Sequence, residues 1–226
     1  MSRRHTLVVV SNDLPDSDYG ATRLAAAFGA AFETRVMDPT AGFGEADRWF
    51  AACAPDALVL SGSDRSVKEK LPWMLEEQEV VRLAGERRVP VLGVCFGHQL
   101  VAAAFGAEIL TKKKRVGIFD IEVEVDDPVL GRAGDRLSMP EQNAEYVSAA
   151  PAGFEVVARS AGGAIEALRG VHAPVYGVQF HPCYAADVLD VDEAWAGFER
   201  SRFRHDGGPL LSRAAAHFRF LCDRER

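Results

Sequence analysis

Val89-Pro-Val-Leu-Gly-Val-Cys-Phe-Gly-His-Gln-Leu-Val-Ala-Ala-Ala-Phe-Gly-Ala107 is the longest stretch of the chain free of Asp, Glu, Lys and Arg. It approaches the length that spans a bilayer, but Pro90, three glycines, His98 and Gln99 read instead as a strand running into a helix. Its first part, Val89 to Val94, is a continuous apolar run of the kind buried on both faces of a sheet. Gly93 and Gly97 then flank Cys95 at minus two and plus two. Small neighbours permit a sharp turn there, so the thiol is expected at the carboxyl edge of a sheet with a helix N-terminus beneath it.

Working outward, strands and helices alternate. Thr6–Val10 and Ala57–Leu60 read as buried strands and Arg35–Met37 as a further strand; Ala21–Phe32, Glu45–Ala54 and Pro72–Arg88 read as helices, the last opened by proline in its first turn. Beyond Gly106 the texture changes. Gly117–Val125 alternates with period two and Phe154–Ala158 follows a Pro-Ala-Gly turn, which predicts antiparallel strands facing water. Pro174–Phe180 returns to the sheet and Leu210–Leu221 closes as a helix. The expected fold is α/β, an open, mostly parallel, doubly wound sheet with a small antiparallel excursion, of flavodoxin-like type, built as one domain over residues 1–226.

Composition narrows the function. The 226 residues are 48% apolar and 26% charged with a formal net charge of −7, the wrong sign for a phosphate-backbone binder. No nucleic-acid or membrane partner is expected. Lys112-Lys-Lys-Arg115, without interleaved aromatics, reads as a solvated face. Cys53, Cys95, Cys183 and Cys222 are unpaired in spacing, and Thr6–Val10 is too short for a signal peptide core, which together fit a reducing cytoplasm. Neither a metal site nor a cofactor is expected.

The chemistry centres on Cys95. A helix N-terminus favours thiolate, and His181, directly after the strand ending Gln179-Phe180, emerges at the same sheet edge and supplies a base and acid. The other five histidines have no such placement. Oxyanion donors are the Phe96 amide and the Ser61-Gly62-Ser63 turn.

Gly93-Val-Cys-Phe-Gly-His-Gln-Leu100 and Gly177-Val-Gln-Phe-His-Pro182 resemble the two signature segments of class I, triad-type glutamine amidotransferases. Stand-alone chains similar to the glutaminase half of GMP synthase come nearest in texture. The resemblance implies that Cys95 attacks the glutamine amide and His181 protonates departing ammonia. It also implies that Gly62 and Phe96 form the oxyanion hole, and that Ser63 and Gln99, with Asn143 and Glu145 of a Gln142–Tyr146 clamping loop, bind the substrate. The implied ligand is glutamine or a γ-glutamyl compound, and the implied partner an ammonia-accepting synthase subunit.

One position departs from the family. Cys183 stands where a Glu normally orients the His, and a neutral thiol supplies no fixed charge to the ring. Asp187, Glu141 and Glu145 are the candidates to replace that acid. The alternatives to an active glutaminase are a catalytically degenerate member that binds a ligand or partner, a γ-glutamyl hydrolase, and a Cys-type α/β-hydrolase whose acid would be Asp126 or Asp135.

Overall fold

The computed structural model describes residues 4–13 and 19–224. Among these, nine strands form one sheet: β1 (Thr6–Val10), β2 (Glu33–Met37), β3 (Ala57–Leu60), β4 (Val91–Val94), β5 (Ile109–Val123), β6 (Arg136–Val147), β7 (Phe154–Ser160), β8 (Ile165–Gly170) and β9 (Val175–Val178). Their order is β2-β1-β3-β4-β9-β8-β7-β5-β6. Pairing is parallel from β2 through β9 and antiparallel from β9 outward to β6. The helices are α1 (Tyr19–Phe28), α2 (Ala46–Cys53), α3 (Pro72–Glu86), α4 (Phe96–Ala104), α5 (Val188–Val191) and α6 (Gly207–Arg224). This is the expected doubly wound α/β fold with its antiparallel excursion.

The layers follow from the strand period. On β1, Leu7 and Val9 face α1 and α6, joining Leu24, Phe28, Leu210 and Phe218 in one core. Val8 and Val10 face the other way, onto Trp49, Met74, Val80 and Leu100 of α2, α3 and α4. A strand buried on both faces has no polar side to show, which is why these segments read as unbroken apolar runs. Complete burial of a Leu or Phe side chain here contributes roughly 1.5–3 kcal/mol. Helix α1 stops at Phe28 rather than Phe32 because Gly29 follows it, and the Gly29 N–H turns back to the Ala26 carbonyl.

The antiparallel part departs most from the sequence reading. β5 begins at Ile109, eight residues before the expected start, and so contains the basic run. Lys112, Lys113 and Lys114 are exposed, but Arg115 is not on a solvated face. Its guanidinium lies over Phe119, 4.1 Å from the ring centroid, and bonds Glu141 at 2.9 Å and Glu166 at 3.1 Å. Both carboxylates are fully buried. Gln142–Tyr146, expected as a clamping loop, belongs instead to strand β6. Pro140 and the polar run after it argue locally against a strand, but β6 lies at the edge of the sheet, where one side has no ladder to complete.

Burial, joined by the repulsion between the two carboxylates, raises Glu141, and burial raises Glu166, while Arg115 acts against both. Removing the guanidinium would leave two buried carboxyls whose ionisation is uncompensated. Arg115→Met is expected to lower stability by about 3–5 kcal/mol. Without Arg115 both folded pKa values rise further, so the two proteins lose stability in parallel while the carboxyls stay protonated in each, and the mutational loss should deepen as pH rises from about 7 to 9, through the wild-type Glu141 value of about 8. Thermal melts of both proteins across that range check this; a loss independent of pH contradicts it.

Candidate active site

Strand β4 ends at Val94 and α4 starts at Phe96, so the whole reversal is made by Cys95, at φ 53° and ψ −104°. Non-glycine residues rarely take such angles, and holding one there costs about 1–3 kcal/mol. The glycines on either side make it feasible by close approach. A Cβ on Gly93 would strike the Gly97 carbonyl oxygen and come within 2.8 Å of the His98 nitrogen. A Cβ on Gly97 would lie 2.6 Å from the Leu60 carbonyl oxygen, at the end of β3. The Gly97 N–H also donates to the Ser61 carbonyl at 3.2 Å, tying the helix start to the turn after β3.

The partners come from the strands on either side. β4 pairs with β9, aligning Val94 with Val178, and the Cys95 N–H donates to the Val178 carbonyl at 2.8 Å. Three residues on, His181 is anchored by its N–H to the Pro140 carbonyl of β6, also at 2.8 Å. From the opposite side β3 delivers Gly62. A Cβ there would meet His181 Cε1 at 3.0 Å and Cys95 Cβ at 3.7 Å, so the thiol-bearing residue and the imidazole meet around one glycine. Residues 86 positions apart are thus brought together by strand order alone.

The imidazole is held without an acid. Its ring donates to the main-chain carbonyl of Gln142 and stacks on Tyr184 at 4.1 Å and 20°, while Nε2 has no partner. Asp187 bonds the Tyr19 hydroxyl at 2.6 Å and pairs with Arg23; Glu141 pairs with Arg115; Glu145 takes Ser66 Oγ and Lys68 Nζ, each at 2.8 Å. Among the described contacts none of the three candidate acids hydrogen-bonds His181. Asp192, which no sequence signal marks, is the carboxylate whose charge reaches the ring. Cys183 lines the same cavity and is buried, its thiol pushed up to about 12 by desolvation.

Burial also corrects the expectation of a lowered Cys95 thiol. The Phe96 N–H does favour thiolate, but desolvation is the larger influence and pushes the thiol above its ordinary range, with Asp13, Asp64 and Glu141 acting the same way. Desolvation holds His181 down to about 4. The resting pair at neutral pH is therefore a thiol beside a neutral imidazole, not an ion pair.

The cavity above Cys95 measures about 410 Å³ and is lined by Gly62, Ser63, Gln142, His181 and Cys183 among others. Gln99, Asn143 and Glu145 do not line it. Gln99 Nε2 donates to the Glu145 carbonyl at 2.9 Å and Asn143 Nδ2 to the same oxygen at 3.3 Å, so the three brace β6 against α4 from behind. The Phe96 side chain turns away, onto Trp73. Of the Gln142–Tyr146 segment expected to clamp the substrate, Gln142 is the residue that lines the cavity, and its side chain takes the Trp195 indole N–H at 2.6 Å.

The family described as glutamine amidotransferase class-I matches residues 19–189, a span holding every residue of this pocket except Asn12, Asp13, Val191, Asp192 and Glu193. The chain belongs to the class-I glutamine amidotransferase family. Its similar relatives include a glutamine-hydrolyzing GMP synthase subunit of Methanosarcina acetivorans, 38% identical over 130 residues covering 57% of this chain and 64% of that protein. The corresponding protein of Thermococcus kodakarensis is 36% identical over 133 residues, 58% of this chain and 68% of its own length. The match to the Methanosarcina protein thus spans under two thirds of it. In fold the chain is similar to a glutamine amido transferase from Methylobacillus flagellatus, with a TM-score of 0.70, 19% identity and coverage of 99% and 95%. A glutamine amidotransferase from Thermotoga maritima gives 0.69, 18%, 97% and 95%. No helix of the described residues is long and apolar enough to cross a membrane.

The elbow geometry has a thermodynamic signature. Glycine normally costs about 0.5–1 kcal/mol relative to alanine in ordered backbone, but at Cys95 the positive φ reverses the order. Cys95→Gly is expected to be more stable than Cys95→Ala by about 1 kcal/mol or more. Denaturant melts of the two variants decide; a less stable glycine variant would mean the elbow carries no strain.

Proposed function

We propose that this chain hydrolyses the side-chain amide of glutamine through a thioester on Cys95. One observation carries the reading: a strained, buried thiol and a neutral imidazole meet around Gly62 at the carboxyl edge of three adjacent strands, in a chain of the glutamine amidotransferase family. His181 accepts the thiol proton as Cys95 Sγ attacks the amide carbon, and the Gly62 turn with Ser63 and the Phe96 N–H faces the developing oxyanion. His181 then returns the proton to the departing ammonia, and water hydrolyses the thioester to glutamate. Gln99, Asn143 and Glu145 serve substrate binding indirectly, by holding the cavity wall.

The Gln142 carbonyl and the Tyr184 stack do part of what an orienting carboxylate does: they fix the plane and tautomer of the ring. They add no full negative charge, so the imidazolium formed during attack is stabilised less than in a complete triad. Turnover is accordingly slow. The relatives are named as one subunit of a glutamine-hydrolysing synthase, and by that likeness the ammonia acceptor is a separate synthase chain. A second reading, a binding protein without turnover, is favoured by Cys183 alone, whose thiol cannot ionise near neutrality.

Ammonia release from glutamine by the wild-type protein, with Cys95→Ala as the blank, separates the two; rates equal to the blank select the binding protein. His181 is active as the neutral base, and its pKa is depressed because protonation would place a charge in a dry site. The acid limb of kcat/KM should therefore fall near pH 4–5, well below an ordinary histidine. A limb centred near pH 6.5 would show that the ring is solvated in the working enzyme.

Cys183→Glu is expected to raise kcat by about tenfold or more while leaving KM within about twofold, because the new charge acts on the imidazolium and not on bound glutamine. The positive charge of Arg23 reaches this position and acts against the desolvation and the Asp13 charge that disfavour an ionised group there. Steady-state kinetics on folded protein test it, with Cys183→Ser expected to leave kcat unchanged.

A further inference from the structure

The wall of the cavity carries far more negative charge than the hydrolysis of glutamine requires. Asp13, Asp64, Asp192 and Glu193 all line it. Against them stands Arg65, the one Lys or Arg among the described lining residues, and its guanidinium is engaged by Glu69 at 3.2 Å. Glutamine itself is a zwitterion without net charge, so this surplus is not answered by it.

An independent observation points the same way. Asn12 also lines the cavity, 3% exposed. Its Nδ2 donates to the Ser61 carbonyl and to Glu77 Oε1, both at 3.3 Å, which fixes the amide orientation and leaves Oδ1 as a buried acceptor without a partner. An unsatisfied buried acceptor calls for an N–H donor. The catalytic imidazole adds no positive charge, since burial keeps it neutral. Between the charged groups, Val188 and Val191 give the wall an apolar patch that suits a short alkyl chain.

We propose that the preferred substrates are γ-glutamyl amides whose amide nitrogen bears an alkyl chain ending in an ammonium group, that is, γ-glutamyl conjugates of diamines. This rests on the Cys95 thioester reading and narrows its substrate class. Cys95 Sγ bonds to the γ-carbonyl carbon, the carbon–nitrogen bond breaks, and the amine leaves with the proton that His181 took from the thiol. Water then cleaves the thioester, giving glutamate and the free diamine and restoring the thiol. The ammonium end is held by the carboxylates and Asn12, with the alkyl stem along Val188 and Val191.

The test compares γ-glutamylputrescine with γ-glutamylbutylamide, which matches its carbon chain but lacks the ammonium. Calorimetric binding to Cys95→Ala should favour the charged compound by about tenfold at low salt, and the preference should shrink as salt screens the wall. Asp64→Asn combined with Glu193→Gln should narrow it to about twofold. Equal affinities, or a preference unmoved by salt and by these substitutions, would overturn the inference. Hydrolysis by the wild-type protein separates this failure from that of the reading beneath it. Ammonia from glutamine with no preference between the conjugates rejects the substrate class alone. No release from glutamine or either conjugate rejects the thioester chemistry, while the binding comparison still decides what the wall recognises.

Discussion

Everything at the site depends on β4 lying between β3 and β9 with the turn after it drawn in to van der Waals limits. The parallel pairing aligns Val94 with Val178, and the first turn of α4 leaves no room for a side chain on Gly93, nor does the end of β3 leave room for one on Gly97. Because both contacts are with backbone atoms, the neighbours cannot yield by changing rotamer. The strain at Cys95 is therefore imposed by rigid surroundings and offset by the two apolar layers that bury β1, β3, β4 and β9 completely.

The same packing sets the electrostatics. A helix N-terminus points at Cys95, yet exclusion of water outweighs it and leaves the free thiol protonated. In the proposed reaction chemistry then begins with proton transfer to His181, a step that creates opposite charges close together in a poorly solvated space, where their mutual attraction is strong. Holding the ring with a carbonyl and an aromatic stack, instead of a carboxylate, keeps it in place at the expense of charge stabilisation.

The parallel half of the fold was legible because a strand buried on both faces must be apolar throughout. Cys95 and His181 were legible because the chain announces a sheet edge with glycines before and after one and a strand end before the other. What was hidden depends on contacts between distant residues. Glu141 and Arg115 lie 26 positions apart, and each looks solvated until β5 and β6 pair. Pro140 and the polar run after it concealed β6, whose edge position no local pattern reveals. Asn12 and Asp192 carry no motif; they matter because loops from opposite ends of the chain close over one cavity. Desolvation of the thiol was likewise outside the reach of sequence, since it is a property of the packed neighbourhood.

The central claim is that Cys95 is a covalent nucleophile toward γ-glutamyl carbonyls, and trapping the adduct tests it most directly. Wild-type protein mixed with a γ-glutamyl substrate, quenched in acid within the turnover time and digested for mass spectrometry, should show a single glutamyl addition on the peptide containing Cys95. His181→Ala should show much less adduct at the same quench time. An adduct on Cys183, or none on Cys95 while substrate is being consumed, would contradict the account.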